Sequence, residues 1–303
     1  MNKYTLAEFR RDYPNDDACL DRIFQIRFSN LICPKCESDN KFSRVKDRRS
    51  YQCPDCGFQI YPTKGTVFQK TTTPLTYWFQ AIFLQTTTRN GVAAKELERQ
   101  LNICYKTALR MSHQIKLLMA NKLYNNSVNY CTPCKLSGVI QADESFIGGL
   151  YKNKHKSKRL PHATGRSVLD KTPVFGMVDL KGNISAHVVA DTSKPSIVPL
   201  IQANVDKENS VIVTDEWWAY SRLKDEYNHV VIKHEESEYV RGAFHTNTIE
   251  GFWSQLKRTI KGTHIHVSKK HLQKYVDEVA FRYMHKNKQD QMFDTILSHV
   301  VLK

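Results

Sequence analysis

Two closely spaced pairs of cysteines limit what the first part of this chain can fold into. Cys33 and Cys36 form one CxxC pair, and Cys53 and Cys56 form a second pair after sixteen intervening residues. Two such pairs at this distance place four thiolates around one tetrahedral Zn²⁺, as in a zinc ribbon. A redox site of the thioredoxin type needs one CxxC at a strand-to-helix junction instead. The sequence therefore predicts a structural zinc ribbon over residues 31–68.

The remaining cysteines give weaker signals. Cys131 and Cys134 form a lone third CxxC, which we interpret as part of a linker, and Cys19 and Cys104 are isolated. The N-terminus has no apolar segment of the secretory type, and no stretch of the sequence is apolar for long enough to cross a bilayer. We therefore expect a cytoplasmic protein without a membrane partner, in a reducing compartment where paired cysteines bind metal.

The charge of the chain indicates a polyanionic partner. It contains 45 Lys+Arg against 30 Asp+Glu, a formal net charge of +15. Nucleic acid is the commonest partner of so basic a protein, although a basic protein without such a partner has the same composition. The length of 303 residues suits two or three domains.

A helical segment follows the cysteines, over residues 69–122. Apolar residues recur at helical spacing, Asn90-Gly91 interrupts them, and Leu101-Asn102-Ile103 separates two further helices. Helix, short turn and helix is the order of a helix-turn-helix unit, whose last helix enters the major groove of DNA. An ordinary three-helix segment is the alternative. The last helix carries three cations, Lys106, Arg110 and Lys116. We predict that Lys106 and Arg110 bind DNA.

The pattern changes after Gly138 to that of an α/β domain, which we assign to residues 138–303. Three strands, a helix and two more strands precede a long helix, in the order expected of an RNase H-like domain. The whole chain is thus predicted to be α/β, with this domain preceded by the zinc ribbon and the helix-turn-helix-like segment. Residues 1–30 are predicted to be a helical segment and residues 123–137 a linker. The predicted strands and helices are Val139–Asp143, Val174–Val178, Ile184–Val189, Pro195–Val205, Val211–Asp215, His229–Ile232 and 245–261.

Three acidic residues of this domain have the pattern of a metal site. Asp143 and Asp215 end two predicted strands, and Glu250 lies on the polar face of the helix predicted over 245–261. Mg²⁺ (or Mn²⁺) prefers oxygen ligands, and two such ions can serve both oxygens of a phosphodiester displacement. Any one of these acids alone is more often a turn or surface residue, so the prediction depends on the set. Lys257, two turns beyond Glu250, can neutralise a phosphate beside the metals.

Further basic residues are predicted to lie along DNA phosphates. For the basic residues that follow Asp143, the alternative is an exposed loop without a DNA role. The basic run between the cysteine pairs, Lys41 to Arg49, can likewise bind phosphates or form a solvated loop. The predicted phosphate contacts of the α/β domain are Lys152, Lys154, Lys156, Lys158, Arg159, Arg258 and Lys261.

Together these motifs resemble the ISXO2-like transposases of the IS1595 group, which are DDE-type enzymes of bacterial insertion sequences. The likeness covers nearly the whole chain. It rests on the cysteine pairs and on three blocks, Asp143-Glu-Ser-Phe-Ile-Gly-Gly149, Thr214-Asp215-Glu-Trp217 and His245-Thr-Asn247-Thr-Ile-Glu250-Gly-Phe-Trp253-Ser-Gln-Leu-Lys257-Arg258.

The resemblance implies a DNA transposase that binds the ends of its insertion sequence and catalyses metal-dependent phosphodiester hydrolysis and strand transfer. It implies Asp143, Asp215 and Glu250 as ligands of Mg²⁺, with Lys257 as the basic residue that follows the third acid. Part of the family has Asn at the third position, so Asn247 is the alternative to Glu250. A homodimer or larger assembly on double-stranded DNA, at the bacterial nucleoid, is also implied.

Three other functions remain open at this point. One is a domesticated or inactive protein that binds DNA without cutting it. Another is a zinc-ribbon transcription regulator whose sheet domain serves dimerisation, which leaves the acidic set without a role. The third is an RNase H-like nuclease without strand transfer.

Overall fold

The computed structural model describes residues 4–120, 135–149, 155–158, 171–216, 220, 223–232, 240–241 and 244–300. The chain divides into two units, one of Met1–Val128 with Lys288–Lys303 and one of Asn129–Asn287. Cys131, Cys134 and nearly all of the predicted linker lie outside the described residues. Within the part of the chain that is described, no helix is long and apolar enough to cross a membrane.

The helices and strands are numbered in chain order. The helices are α1 Leu6–Asp12, α2 Asp16–Phe28, α3 Leu75–Thr87, α4 Ala94–Leu101, α5 Tyr105–Met119, α6 Lys194–Asn204, α7 Asn247–Thr259, α8 Leu272–Met284 and α9 Met292–Ser298. The strands are β1 Ser43–Arg44, β2 Tyr51–Gln52, β3 Gln59–Ile60, β4 Leu136–Ile147, β5 Thr172–Asp179, β6 Ile184–Val188, β7 Val205–Thr214, β8 Asn228–Val231, β9 Val240–Arg241 and β10 Phe244–His245.

Local signals in the sequence start and stop the helices of the first unit. Thr5 and Glu8 form a reciprocal capping box at the start of α1. Asn102, in the left-handed conformation that Asn tolerates, ends α4 and begins the short turn into α5. The helix, turn and helix predicted from the spacing are therefore present.

The last helix of the chain, α9, packs within the first unit. Phe293 lies against an aromatic cluster, with ring centroids 5.6 Å from Tyr13 and 6.0 Å from Phe9. Arg22 of α2 also forms an ion pair of 2.7 Å with Asp294. Residues 288–303 therefore belong to the first unit, whereas the rest of the predicted 138–303 domain belongs to the second unit.

The second unit is built on a five-stranded sheet in the order β6-β5-β4-β7-β8. The pairs β6–β5 and β5–β4 are antiparallel, whereas β4–β7 and β7–β8 are parallel. Three antiparallel strands followed by two parallel ones is the arrangement of an RNase H-like sheet, so the predicted fold class is confirmed.

Helices cover both faces of this sheet. Residues of α6 join one hydrophobic cluster with Ile140, Ala142 and Phe175, and residues of α7 and α8 join a second cluster with Val174 and Val178. Neighbouring strand residues point to opposite faces, so the two clusters lie on opposite sides of the sheet. The apolar stripe predicted for the long helix is buried throughout, and its residues are Ile249, Phe252, Trp253, Leu256 and Ile260.

Two elements of this unit differ from the predicted bounds. Strand β4 was expected to end at Asp143, but it continues to Ile147 because β5 pairs with it along its whole second half. The helix predicted over 245–261 is α7 from Asn247 to Thr259, and a π-helical turn, Ile260–His264, follows it directly.

Candidate functional site

The two aspartates of the predicted metal site lie level with each other on neighbouring strands. In the parallel pairing of β4 with β7, Gln141 lies opposite Val213. The same register continued by two residues brings Asp143 opposite Asp215, which immediately follows the end of β7. Asp143 is therefore inside its strand and Asp215 beyond the end of its own, which corrects the prediction that both acids end strands.

Helix α7 brings the third acid to the same face of the sheet. Its buried stripe packs against β5 residues of the sheet face to which Asp143 points, and Glu250 lies on its exposed side. Burial raises the pKa of Asp143 most, and repulsion from the carboxylates of Asp215 and Glu250 raises it further. The charges of Asp215 and Glu250 therefore both reach Asp143.

A tryptophan of α7 binds the first aspartate directly. The indole Nε1–H of Trp253 donates to Asp143 Oδ2 at 2.9 Å. Gly176, the partner of Asp143 on β5, leaves the space for this indole: a Cβ at residue 176 would lie 2.7 Å from Trp253 Cη2. A small residue on one strand and a large one on the helix thus hold the carboxylate in place.

Gln141 connects the sheet to the start of α7. Its Oε1 accepts hydrogen bonds from the backbone amides of Thr248 and Ile249, at 3.0 and 3.1 Å. Its Nε2 donates to Thr248 Oγ1 at 3.1 Å. Thr246, at the position before the helix, makes no side-chain cap. Gln141 therefore caps α7 from the neighbouring strand, and it lies two residues before Asp143, on the same face of β4.

The acidic set is electrostatically suited to a cation. Burial and the neighbouring carboxylate of Asp215 raise the pKa of Asp143 to about 6, although hydrogen bonds from the Glu144 amide and the Trp253 indole lower it. Carboxylates that repel one another at a partly buried position favour either a proton or a metal ion. Among the described residues, the four cysteine sulfurs all lie within 4.8 Å of one another, whereas the carboxylate oxygens of the acidic set do not all lie that close together.

A fourth acid, Glu144, lies next to Asp143 but on the opposite face of the sheet. The hydroxyl of Tyr220, in the cluster beside α6, donates to Glu144 Oε1. Burial raises the pKa of Glu144 to about 8, and the Tyr220 hydrogen bond opposes that shift. The sequence analysis gave Glu144 no role. Its only signal there was its position beside Asp143.

The four cysteines of the predicted ribbon are brought together. Two of the distances between sulfurs are 3.6 Å, from Cys33 to Cys56, and 3.7 Å, from Cys36 to Cys53. Zn–S bonds of about 2.3 Å in a tetrahedron place the sulfurs about 3.8 Å apart. Antiparallel strands β1, β2 and β3 support the site, and a residue with positive φ follows each pair, Glu37 at 56° and Gly57 at 73°. The arrangement fits a tetrahedral zinc site.

Two arginines of the run between the cysteine pairs bind acids of the protein. Arg44 pairs with Asp17 at 2.7 Å, and Arg49 pairs with Asp16 at 3.2 Å, both at the start of α2. Acids in the first turn of a helix also suit its dipole. These two arginines therefore hold the ribbon to α2, which is a structural role that neither sequence interpretation included.

The predicted DNA-contact residues differ in their surroundings. Lys106 and Arg110 are exposed on α5, and the guanidinium of Arg110 lies 5.5 Å from the ring centroid of Trp78. Lys116 of the same helix is fully buried and donates to Ser112 Oγ at 2.8 Å, so it does not face a DNA surface. The remaining described members are exposed: Lys156, Arg258 and Lys261. Lys257, predicted beside the metal site, and Asn247, the alternative third ligand, are exposed as well. Lys152, Lys154 and Arg159 lie outside the described residues, and the side chain of Lys158 is not described.

Two family models and one relative match large parts of the chain. A family model of the ISXO2-like transposase domain matches residues 135–284, and one of the transposase zinc-ribbon domain matches residues 14–59. A protein of Halobacterium salinarum, described as an uncharacterized protein in transposable element ISH50, is 28% identical over 271 residues. That alignment covers 85% of this chain and 87% of the relative.

Two solved structures show a looser similarity. The first is the cryo-EM structure of the simian T-cell lymphotropic virus intasome with the PP2A regulatory subunit B56 gamma, at 13% identity and a TM-score of 0.29, covering 61% of this chain and 67% of that one. The second is the crystal structure of a pre-cleavage Mos1 transpososome, at 11% identity and a TM-score of 0.27, covering 74% and 79%.

Proposed function

The chain belongs to the ISXO2-like transposase family, and from that premise we propose that it cuts and joins DNA at the ends of an insertion sequence. The single observation that carries the proposal is the acidic set: Asp143 and Asp215 are level on adjacent strands, and Glu250 is close enough to act on Asp143. Phosphodiester chemistry at divalent cations needs several oxygen ligands at one place.

The carboxylates of Asp143, Asp215 and Glu250 would hold Mg²⁺ or Mn²⁺. When bound, such cations activate the attacking oxygen and stabilise the leaving oxygen of the phosphodiester. The chain's own residues orient the ligands: Trp253 fixes one oxygen of Asp143, and Gln141 fixes the start of the helix that carries Glu250. A carboxylate is a better ligand for Mg²⁺ than an amide, which favours Glu250 over Asn247 as the third ligand.

Exposed cations would hold the DNA substrate at this site. Lys257, Arg258 and Lys261 follow Glu250 along α7 and the turn after it, and positive side chains on one surface bind phosphates. Lys156 and its undescribed basic neighbours would extend this contact. In the cytoplasm of a bacterial host, the protein would bind its DNA at the nucleoid as a homodimer or larger assembly.

The first unit would recognise the ends of the element. A Zn²⁺ held by the four cysteines would fix the ribbon, and the exposed start of α5, with Lys106 and Arg110, would enter the major groove. Because structural zinc contributes directly to folding, Cys36→Ser should unfold the ribbon and weaken binding to the ends. A filter-binding titration with and without a chelator measures this, and binding that is indifferent to both changes contradicts it.

Metal-dependent cleavage of end-labelled duplexes tests the enzymatic part. The substrates are the DNA segments that flank this coding sequence, and the proteins are wild type, Asp143→Asn and Asp215→Asn. Both variants should bind the duplexes nearly as well as wild type and cleave them at least about a hundredfold more slowly. Lost binding would assign these acids to the fold, and unchanged cleavage would remove them from the site.

A further inference from the structure

Ile265 differs from every other described large apolar residue in its exposure and its backbone conformation. It is 83% exposed, the highest value among the exposed large hydrophobic residues. Its φ is 63° and its ψ −56°, and the amide of His266 donates to the carbonyl oxygen of His264 at 2.6 Å. These are the features of a γ-turn with positive φ, which is rare and strained. A β-branched residue suits such a turn poorly, whereas glycine suits it well.

Packing holds His264 directly before Ile265, and Val267 two residues after it. The side chain of His264 is only 6% exposed, and its Nε2 lies 3.7 Å from an oxygen of the fully buried Glu278. The His264 ring also meets Tyr275 edge-on, at a centroid distance of 4.6 Å. The two nearest aliphatic residues pack into or against the core cluster beside α7 and α8, Ile260 and Val267. A rigid base therefore keeps the Ile265 side chain in solvent.

The surface around Ile265 carries positive charge. The sequence has no acidic residue between Glu250 and Asp277. The exposed cations of this stretch are Lys257, Arg258, Lys261, Lys269 and Lys270. Duplex DNA supplies phosphates for the cations and an apolar space between its bases. The chemistry of the surface therefore fits DNA.

We propose that Ile265 is an apolar wedge that inserts between two base pairs of the bound duplex and unstacks them. The inference rests on the proposed function, since it needs the DNA to lie along α7. Isoleucine is among the residues that proteins use as such wedges. Ile265 follows Glu250 by fifteen residues, so at a rise of 1.5 Å per residue the helix and turn place it about 23 Å away at most. That distance corresponds to about seven base pairs, so the unstacked step would lie within one turn of the duplex from the reacting phosphate.

Fluorescence of 2-aminopurine tests the wedge, because this base becomes brighter when it is unstacked. Duplexes from the flanks of the coding sequence carry it at successive positions, and they are bound to wild type and to Ile265→Ala. Wild type should raise the fluorescence at one or two adjacent positions. Ile265→Ala should abolish the rise and slow cleavage about tenfold, with an unchanged salt dependence of binding because no charge is lost.

Leu180 provides a matched control. It is 61% exposed in the turn after β5, and its φ is not positive. Leu180→Ala also removes a largely exposed apolar side chain from the same unit, beside a lysine, and should leave both the fluorescence and the cleavage at wild-type values.

A second variant separates a DNA role from a role in the fold. Ile265→Gly relieves the backbone strain, so its melting temperature should equal or exceed that of wild type, while the fluorescence rise should still be lost. A variant that is both less stable and inactive would show that Ile265 serves the fold, and the proposal would fail.

Four further results would each refute the proposed wedge. Normal unstacking and cleavage by Ile265→Ala would overturn the proposal. So would weaker self-association of that variant in sedimentation with unchanged DNA fluorescence, since the surface would then bind a second copy of the chain. Wild type that binds duplexes without any fluorescence rise refutes the wedge alone. Wild type that binds no duplex refutes the proposed function as well.

Discussion

Removal of the cap that Gln141 supplies should loosen the start of α7 without touching a metal ligand. Gln141→Leu keeps the size of the side chain but leaves the amides of Thr248 and Ile249 without their acceptor. Each buried amide that loses its partner costs about 1–3 kcal/mol. Gln141 is only 1% exposed, so water does not readily replace it. The leucine gains some apolar burial, and we expect a net loss of about 2–4 kcal/mol in unfolding free energy.

Amide hydrogen exchange measures the effect at the two amides themselves. In Gln141→Leu the exchange of Thr248 and Ile249 should accelerate at least about tenfold, the equivalent of 1.4 kcal/mol. In Gln141→Glu it should stay slow, because a carboxylate accepts the same bonds and suits the positive end of the helix. Cleavage should fall in the leucine variant and persist in the glutamate variant, because the start of α7 sets the position of Glu250.

A buried glutamine of the first unit is the control. Gln85 accepts from the amide of Val92 at 3.0 Å and donates to its carbonyl oxygen at 2.9 Å. Gln85→Leu should destabilise the protein by a similar amount without changing exchange at Thr248 or Ile249. If Gln141→Leu leaves that exchange at its wild-type rate, the capping argument is refuted.

Three further perturbations test the acidic site. Gly176→Ala places a Cβ 2.7 Å from the Trp253 indole, so it should cost about 1–3 kcal/mol in urea unfolding and impair cleavage, and an unaffected protein would contradict the packing argument. Burial and the charge of Asp215 raise the pKa of Asp143 in the folded state to about 6, above the ordinary value of an aspartate, so the folded state holds the proton more tightly than the unfolded chain does. Acidification from pH 6 to pH 4 should therefore stabilise the metal-free protein by about 2 kcal/mol through this group, and Asp143→Asn should lack that contribution in denaturant titrations. Glu250→Ala should slow cleavage at least about a hundredfold and Asn247→Ala less than about tenfold, and the reverse order would make Asn247 the third ligand.

Local patterns made much of the fold predictable. The apolar stripe of α7 repeats at helical spacing, so its buried and exposed faces follow from the sequence. The cysteine pairs define their cluster because each CxxC closes a tight turn with its own backbone hydrogen bond, such as Gly57 N–H to the carbonyl oxygen of Cys53 at 3.1 Å. The order of strands and helices, read from the same periodicities, sufficed for the RNase H-like class.

The supporting residues of the site depend on partners far along the chain. Gln141 looks like a polar residue in an apolar strand until α7, more than a hundred residues later, presents its first amides. Gly176 lies inside a strand and not in a turn, so no local pattern explains a glycine there; its role is to leave room for Trp253. Strand β4 continues past Asp143 because β5 pairs with the residues that follow. Tertiary pairing decides each of these features, and no local pattern carries it.

Charge was the least reliable guide to exposure. Lys116 was grouped in the sequence with Lys106 and Arg110 as a cation of the same helix, yet its side chain is buried and bonded to Ser112. A helix of fifteen residues that packs on several others buries more than one stripe, so a cation near that stripe is enclosed as well. The position of α9 in the first unit likewise depends on an aromatic cluster of residues from distant parts of the sequence.

A strand-transfer assay tests the central claim most directly. Labelled duplexes that end in the 3′-hydroxyl at the boundary of the element are incubated with a plasmid target, Mg²⁺ or Mn²⁺, and wild type or Asp215→Asn. The account predicts joined donor and target strands with wild type only, and none in the presence of a chelator. Ends that are bound and cut but never joined would make the protein a nuclease, and joining by Asp215→Asn would contradict the acidic site itself.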